Sequence, residues 1–317
     1  MRTVPAGRSV AVRVPGSTAN LGPGFDSIGL ALGLWDDYLF TTSESGLRVE
    51  VTGEDAADVP TDESHLVLAT MWQAWQVLGV RPPPGLALRA RNGIPHGRGL
   101  GSSAAAIVAG VVAGQALSMP CLPSRGSEVP IDREVAGDLS SRMEGHPDNA
   151  SASVHGGLTV SLIPDESSGD VGIRTVTARP PLHPDIEVVV FVPSAQLLTR
   201  TARAVLPRTV PLADAAANTG RAALLVHALT AEPRHLHAAT RDWLHQEARR
   251  AAYPQSMTLL DALRRQGHAA VVSGAGPSVL VLTTREQAAD VQLPGGHGPW
   301  RRIMPGVAQR GAFVTVA

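Results

Sequence analysis

Residues 95–105 determine how the rest of the chain is interpreted, and they read Pro95-His96-Gly97-Arg98-Gly99-Leu100-Gly101-Ser102-Ser103-Ala104-Ala105. The three glycines permit a tight turn in which the backbone approaches a ligand closely. The two serines begin a run of small apolar residues that predicts a helix. A helix N-terminus presents free N–H groups and a partial positive charge, so the segment predicts an anion site with phosphate as the obvious ligand. A glycine-rich turn with a serine cap and no ligand explains the same residues about as well.

The chain contains no lysine, because all 27 of the basic residues among its 317 are arginine. A P-loop NTPase needs the lysine of G-x-x-x-x-G-K-[ST]. A protein kinase needs its strand lysine, and an enzyme that forms a Schiff base needs a lysine amine. The composition therefore excludes these three classes of enzyme.

The overall composition is that of a globular protein, with 44% hydrophobic and 17% charged residues. The net charge of −1 predicts no nucleic-acid partner. We expect no signal peptide, because residues 1–13 lack a long apolar region, and no membrane span, because the chain has no apolar run of about 18 residues. The single cysteine, Cys121, excludes a disulfide framework and a cysteine metal cluster, and it fits a reducing, cytoplasmic location.

Hydrophobic periodicity predicts a mixture of strands and helices. Strands are predicted at 9–14, 39–51 (as strand, turn and strand), 86–91, 158–163, 186–192, 269–273, 279–282, 301–304 and 312–316. Helices are predicted at 66–78, from 102 onward, at 132–144 with Asp132 as N-cap, and at 212–229, 234–249 and 256–266. Segment 16–33 is interpreted as a Gly/Ser/Asn loop that passes into a small-residue segment, 118–130 as a surface loop, and 164–172 as a lobe boundary. The mixture favours an α+β fold with an N-terminal lobe at 1–165 and a C-terminal lobe at 166–317.

Two further glycine-containing loops accompany the first. One reads Ser17-Thr18-Ala19-Asn20-Leu21-Gly22-Pro23-Gly24-Phe25-Asp26, and its Asn20 and Asp26 can bond a hydroxyl or an amine. The other reads Ser273-Gly274-Ala275-Gly276-Pro277-Ser278 and lies between two apolar strands. Each loop alone is more typical of a simple turn than of a binding site.

Taken in their order along the chain (17–26, 95–105 and 273–278), the three loops resemble the signature motifs of the GHMP small-molecule kinases. The family is named for galactokinase, homoserine kinase, mevalonate kinase and phosphomevalonate kinase. The loop at residues 17–26 is most similar to the homoserine kinase branch, as are two other segments. These are Glu144-Gly145-His146-Pro147-Asp148-Asn149 and Thr199-Arg200-Thr201-Ala202-Arg203-Ala204-Val205-Leu206-Pro207.

The resemblance implies a two-lobed GHMP kinase fold, with an N-terminal lobe like domain 2 of ribosomal protein S5 and a ferredoxin-like C-terminal lobe. ATP would lie on the second motif, residues 95–105, with the acceptor between the lobes. The implied reaction is ATP-dependent phosphorylation of the L-homoserine hydroxyl to O-phospho-L-homoserine, a step of threonine biosynthesis. Mg²⁺ would be held by Ser103 and Glu144. Glu144 ends a predicted helix, where a carboxylate opposes the helix dipole unless a cation compensates it, although a solvated helix end is the alternative.

The resemblance also implies the residues that bind the acceptor. Arg203 and Arg249 suit its carboxylate, because a guanidinium fork bonds both oxygens. Asn20, Asp26 and Asp148 are candidates for its ammonium and hydroxyl groups. The remaining predicted acceptor contacts are His146, which serves equally as a structural histidine, together with Thr199 and Gly276. Catalysis is assigned to Asn20, Asp26 and Arg203 through positioning and charge, with no general base named.

Departures from the family pattern leave the acceptor open. Leu198 stands where a serine is expected, and Glu247-Ala248 stands where the family has Pro-Tyr. A sibling GHMP kinase acting on another hydroxy amino acid or small alcohol is therefore the alternative function. A catalytically silent nucleotide-binding protein is disfavoured, because Ser103 and Glu144 are both present. The sequence leaves open whether the chain forms a homodimer.

Overall fold

A computed structural model of the chain describes residues 2–164, 174–197, 199–296 and 298–317. Most of the predicted lobe boundary at 164–172 lies outside these residues, as do Leu198 and the side chain of Thr199. Within the described ranges, no helix is both long and apolar enough to cross a membrane.

The described residues form fourteen strands and eight α-helices. The strands are β1 (Arg2–Thr3), β2 (Ser9–Asn20), β3 (Gly24–Ser43), β4 (Gly46–Gly53), β5 (Val80–Arg81), β6 (Gly85–Asn92), β7 (Glu128–Val129), β8 (Leu158–Leu162), β9 (Val176–Ala178), β10 (Ile186–Pro193), β11 (Ala269–Val272), β12 (Val279–Thr284), β13 (Trp300–Ile303) and β14 (Phe313–Val316). The helices are α1 (Leu66–Val77), α2 (Ser102–Leu117), α3 (Arg133–Glu144), α4 (Pro147–His155), α5 (Thr199–Ala204), α6 (Leu212–Thr230), α7 (Leu236–Ala239) and α8 (Pro254–Arg265).

The N-terminal lobe is built on a sheet with strand order β4-β6-β3-β2-β14-β7, to which β8 and β9 are added through β3. Val10, Val12 and Val14 of β2 are buried and Arg13 between them is exposed, so one face of the sheet carries the core. The helices α1 to α4 belong to this lobe, and α2 is buried along most of its length because it consists mainly of alanine, valine and glycine. Asp132 caps α3 as predicted, since its side chain accepts from the N–H of Val135.

The C-terminal lobe has an antiparallel sheet with strand order β11-β12-β10-β13 and the helices α6 to α8. Its sheet packs a second core that includes Phe191, Leu259 and Leu263. Two strands that follow the predicted boundary belong to the N-terminal sheet. Strand β14 pairs with β2 and β7, and β9 pairs with β8. The N-terminal sheet thus contains residues from the C-terminal part of the chain, and the division at 165/166 stays a prediction.

Two predictions of secondary structure are wrong. Segment 16–33 is mostly strand, since β2 continues to Asn20 and β3 begins at Gly24. Its small residues allow close packing: a Cβ on Gly29 would lie 2.1 Å from the carbonyl oxygen of Asp148. Segment 234–249 contains only the four-residue α7, because the Asp242 carboxylate accepts from the N–H groups of Leu244, His245 and Gln246 and forms a turn. Helix α4 was not predicted.

The contact between α1 and α2 depends on a glycine. A Cβ on Gly110 would lie 2.3 Å from both Thr70 Oγ1 and the carbonyl oxygen of Val67. We therefore expect Gly110→Ala to lower the free energy of unfolding by about 1–3 kcal/mol through overpacking. Gly220 of α6 is the matched control, because nothing lies within 4 Å of its Cβ position. Gly220→Ala should raise stability by about 0.5–1 kcal/mol, so equal effects in urea unfolding would contradict the prediction.

Candidate active site

A cavity of about 540 Å³ lies between the two lobes. Residues of both lobes line it, and they carry hydroxyl, carboxylate, imidazole and guanidinium groups. The lining residues are Asn20, Asp26, Gly97, Gly99, Gly101, Ser102, Ser103, Glu144, His146, Asp148, Asn149, Leu197, Arg200, Arg203, Arg249, Gly274 and Ala275.

The glycine-rich loop enters this cavity as the start of α2. Gly97, Gly99 and Gly101 have φ values of 63°, 72° and 75°, a left-handed conformation that favours glycine. Gly101 precedes α2 and has no side chain with which to cap the helix, and Ser102 and Ser103 form its first turn. The first N–H groups of α2 are therefore free to bind an anion in the cavity.

The three loops identified in the sequence contact each other directly. Ser273 Oγ lies 2.6 Å from the carbonyl oxygen of Gly99 and 2.8 Å from Thr18 Oγ1. Asn20 Nδ2 donates to the carbonyl oxygen of Gly274 at 2.9 Å. A Cβ on Gly99 would lie 2.1 Å from the carbonyl oxygen of Ser273, so the loops pack backbone against backbone. This close approach explains why the glycine-rich loop needs a glycine at position 99.

Ser103 and Glu144 form a pair of oxygen ligands at the end of the glycine-rich loop. Ser103 Oγ donates to Glu144 Oε2 at 3.1 Å. Burial raises the pKa of Glu144, while the charge of His146 acts in the opposite direction. Glu144 is the last residue of α3, where the helix dipole also disfavours a carboxylate. Two hard oxygen donors at a position that favours a cation fit Mg²⁺, which prefers few protein ligands together with phosphates and water.

Asp26 and Arg203 form a bidentate ion pair on one wall of the cavity. Arg203 Nη1 and Nη2 lie 3.1 and 2.5 Å from the two carboxylate oxygens of Asp26. The Phe25 ring is shared by two guanidinium groups, since the Cζ atoms of Arg203 and Arg249 each lie 5.6 Å from its centroid. Both arginines are thus placed beside one aromatic side chain.

Arg249 is held rigidly although only 1% of it is exposed. Its Nε donates to the carbonyl oxygen of Ala202 at 2.9 Å, and its Nη1 bonds His245 Nδ1 at 3.0 Å. The other ring nitrogen of His245 lies 2.8 Å from the carbonyl oxygen of Gly22. Because a guanidinium only donates and a carbonyl only accepts, His245 is the neutral Nε2–H tautomer, and burial lowers its pKa accordingly.

His146 and Asp148 form a second pair in the cavity, with Nδ1 2.8 Å from Oδ1. Burial lowers the pKa of His146, but the hydrogen bond and charge of Asp148 outweigh it and leave the pKa raised. One ligand atom from each of Asp26, His146 and Asp148 lies within 4.8 Å of the others. Arg203 already neutralises Asp26, so this group is suited to a substrate's polar groups as well as to a metal.

The structure brings together most of the predicted side chains. Of the predicted residues that are described, those outside the cavity lining are Pro95, His96, Arg98, Leu100, Ala104, Ala105 and Gly276. The Arg98 guanidinium bonds Asp55 instead, at 2.7 Å. Asn20 lines the cavity, but its amide is also occupied, since Oδ1 accepts from the N–H of Asp26. The side chains of Arg98 and Asn20 therefore bond other parts of the protein around the cavity. The roles of all the predicted residues stay predictions.

Five lining residues were missed: Asn149, Leu197, Arg200, Gly274 and Ala275. Four of them lie within the segments already quoted, so extending each motif to its neighbours would have found them. Arg200 lies one helical turn before Arg203 on α5, and no hydrogen-bond or ion-pair partner for it occurs among the residues with described side chains. Leu197 carries no sequence signal, since only the fold brings it to the cavity.

The fold and site define a small-molecule kinase of the GHMP type. The family model "GHMP kinases N terminal domain" matches residues 65–157, and "GHMP kinases C terminal" matches residues 221–293. A homoserine kinase of Streptomyces coelicolor is 46% identical over 306 residues, covering 96% of this chain and 94% of that protein. One of Mycolicibacterium smegmatis is 49% identical over 301 residues, covering 94% and 92%. The chain therefore belongs to the GHMP kinases, in their homoserine kinase branch.

Solved structures support the same fold. A crystal structure of homoserine kinase from Cytophaga hutchinsonii has a TM-score of 0.76 at 23% identity and covers 97% of both chains. Mevalonate diphosphate decarboxylase from Staphylococcus aureus has a TM-score of 0.62 at 16% identity, covering 97% of this chain and 98% of that one. The predicted α+β, two-lobed GHMP kinase fold is confirmed.

The raised pKa of His146 predicts a pH-dependent stability. A histidine whose folded pKa exceeds its unfolded value of about 6.5 contributes stability that is complete below that value and is lost as pH rises through the folded pKa. We expect His146→Gln to destabilise most near pH 5.5 and less at each higher pH, as measured by urea unfolding.

His155 of α4 provides a control of opposite sign. Burial, with the charges of Arg179 and Arg133, lowers its pKa to about 4. The wild type therefore loses stability from His155 as pH falls below about 6.5. His155→Gln should relieve this loss at low pH, so the same pH slope in both variants would contradict the assignment.

Proposed function

We propose that the protein transfers the γ-phosphoryl group of ATP to the side-chain hydroxyl of L-homoserine and so produces O-phospho-L-homoserine. One observation carries the proposal: the uncapped start of α2 and the Arg203–Arg249 pair face the same cavity. A phosphate site and a carboxylate site thus share one volume, as a kinase for an amino acid requires.

The acceptor would bind the part of the cavity lined by Asp26, Asp148, Arg203 and Arg249, which we call the acceptor wall. Its carboxylate would bind Arg249. The bonds to Ala202 and His245 hold this guanidinium in place and leave its other N–H donors for the carboxylate. Its ammonium would lie beside the carboxylates of Asp148 and Asp26. The acceptor wall would therefore bind both charged groups of the amino acid, with the hydroxyl side chain of the acceptor directed to the γ-phosphate of ATP.

The catalysis we propose rests on positioning and charge rather than on a general base. The acceptor oxygen forms a bond to the γ-phosphorus while the bond from that phosphorus to the bridging oxygen breaks and ADP leaves, and the hydroxyl proton passes to an oxygen of the transferred phosphoryl group or to water. The N–H groups of Gly99 to Ser103 would hold the phosphate oxygens, and Arg203 would add positive charge at the acceptor side. Mg²⁺, bound through Ser103 and Glu144, would neutralise the charge on the phosphates.

The departure from the family pattern at residues 247–248 lies outside the cavity lining. Glu247 is exposed and pairs with Arg250, with Oε1 2.7 Å from Nε, and Ala248 is exposed as well. Both positions therefore leave the acceptor wall unchanged, which favours homoserine over another hydroxy amino acid. A cytoplasmic location fits the reaction, because ATP and free amino acids are cytoplasmic metabolites.

Replacing the carboxylate-binding arginine tests the acceptor assignment. We expect Arg249→Ala to raise the KM for homoserine about 10- to 100-fold, because charge-assisted hydrogen bonds contribute about 1.5–3 kcal/mol. The KM for ATP should change little. Arg250→Ala is the matched control, since Arg250 pairs with Glu247 and Asp261 outside the cavity. ADP formation is measured with homoserine, serine, threonine and longer hydroxy amino acids. Turnover of another acceptor in place of homoserine would overturn the proposal.

Replacing the proposed metal ligand tests Mg²⁺ binding. We expect Glu144→Gln to raise the Mg²⁺ concentration for half-maximal activity by about 10- to 100-fold, with partial rescue at high Mg²⁺. Glu134→Gln is the control, because Glu134 is an exposed carboxylate in the first turn of the same helix. An unchanged Mg²⁺ dependence in Glu144→Gln would assign Glu144 to a solvated helix end.

A further inference from the structure

The side chain of Arg98 belongs to the glycine-rich loop but is directed away from the cavity. Its Nη1 donates to Asp55 Oδ2 at 2.7 Å and to the carbonyl oxygen of His96 at 2.9 Å. Its Nε and Nη2 donate to the carbonyl oxygens of Pro193 and Ser194 at 3.1 and 3.3 Å. Four of the five N–H donors of the guanidinium are thus bonded to protein oxygens outside the cavity.

Asp55 is the centre of these contacts. It follows β4 in a left-handed conformation with φ 51°, which directs its carboxylate towards the glycine-rich loop. The carboxylate also accepts from the N–H of His96 at 2.8 Å and from Gln196 Nε2 at 3.3 Å. The ion pair with Arg98 is well shielded, because the two side chains are 13% and 14% exposed. Burial alone would raise the pKa of Asp55, but these hydrogen bonds and the charge of Arg98 lower it.

The contacts join three separate parts of the chain. Asp55 lies in the N-terminal lobe and Arg98 in the glycine-rich loop. In the C-terminal lobe, Pro193 ends β10 and Ser194 follows it. The next residues lead directly to α5: the N–H of Leu197 donates to the carbonyl oxygen of Gly97 at 2.8 Å. Helix α5 then carries Arg203 to the acceptor wall.

We propose that Asp55, Arg98 and Gln196 form an interlobe clasp that sets the distance between the glycine-rich loop and α5 and thereby couples the binding of ATP to that of the acceptor. The inference rests on the proposed function, in that the cavity holds ATP and homoserine together. Arg98 is on this account a positioning residue rather than a phosphate ligand. A misplacement of about 1 Å in such a site lowers turnover strongly even when each ligand still binds.

The two roles of Arg98 predict different kinetics. If Arg98 positions the loop, Arg98→Gln and Asp55→Asn should each lower kcat about tenfold or more, while the affinity for a non-hydrolysable ATP analogue with Mg²⁺ changes less than about threefold. The double variant should resemble either single variant, because the residues act as one unit. If Arg98 binds phosphate instead, Arg98→Gln alone would weaken analogue binding about tenfold or more, which overturns the proposal.

Coupling between the ligands is the direct readout. Homoserine binding is measured by calorimetry with and without the ATP analogue. We expect the analogue to tighten it at least about fivefold in the wild type and not in Asp55→Asn. Glu54→Gln is the matched control, because Glu54 also forms an interlobe pair, with Arg301 at 2.8 Å, without contacting the glycine-rich loop. The milder Gln196→Ala, which removes one exposed contact, should reduce the coupling if Asp55→Asn does not fold.

The outcomes separate the clasp from the function. Homoserine that fails to bind the wild type under either condition contradicts the proposed function. Homoserine that binds with the same coupling in the wild type and in every folded clasp variant contradicts the clasp alone. Equal loss of coupling in Glu54→Gln would also overturn it, since any interlobe ion pair would then serve.

Discussion

The structure depends on the contact of three glycine-containing loops that are distant in the sequence. Ser273 bonds the backbone of the second loop at Gly99 and the first loop at Thr18, while Asn20 bonds the third loop at Gly274. The second loop approaches the other two more closely than a Cβ atom would allow, since a Cβ on Gly99 would lie 2.1 Å from the carbonyl oxygen of Ser273 and one on Gly101 would lie 2.1 Å from Ser17 Oγ. Because the first two loops belong to the N-terminal lobe and the third to the C-terminal lobe, this contact fixes how the lobes face each other. The cavity is the space that the contact leaves between them.

The absence of lysine determines how this cavity handles negative charge. Backbone N–H groups at the start of α2 supply one set of donors, and Arg203 and Arg249 supply another. A guanidinium is planar and remains charged, and a fixed fork loses less entropy per hydrogen bond than a flexible ammonium. Both arginines are held before any ligand binds, Arg203 by Asp26 and Arg249 by Ala202 and His245. The donors are therefore preorganised, which is what stabilising a developing charge requires.

The sequence predicts this site well where the chemistry is local and poorly where it is not. Glycines in a loop before a helix are visible in the residues themselves, so the glycine-rich loop was predicted directly, whereas Glu144 was singled out by the family resemblance together with its place at a helix end. The strands in segment 16–33 were missed because they pack against backbone with small residues, and the alternation of apolar and polar residues disappears. The turn at Asp242 was read as helix because the side chain that replaces the helical hydrogen bonds has no periodic signal. Asp55, the partner of Arg98, lies 43 residues earlier in the chain, and no local sequence pattern near Arg98 indicates this contact.

Helix α5 shows how the site is assembled from contacts rather than from local propensity. It has six residues, and an isolated helix of that length is unstable in water. Its position is set by bonds to the glycine-rich loop through Leu197, to the first loop through Arg203, and to Arg249 through Ala202. The position of Arg203 in the cavity therefore depends on the relative placement of the glycine-rich loop and the loop at residues 17–26. We therefore expect this short helix, which has low intrinsic stability and contacts both proposed subsites, to transmit the binding of one ligand to the other subsite.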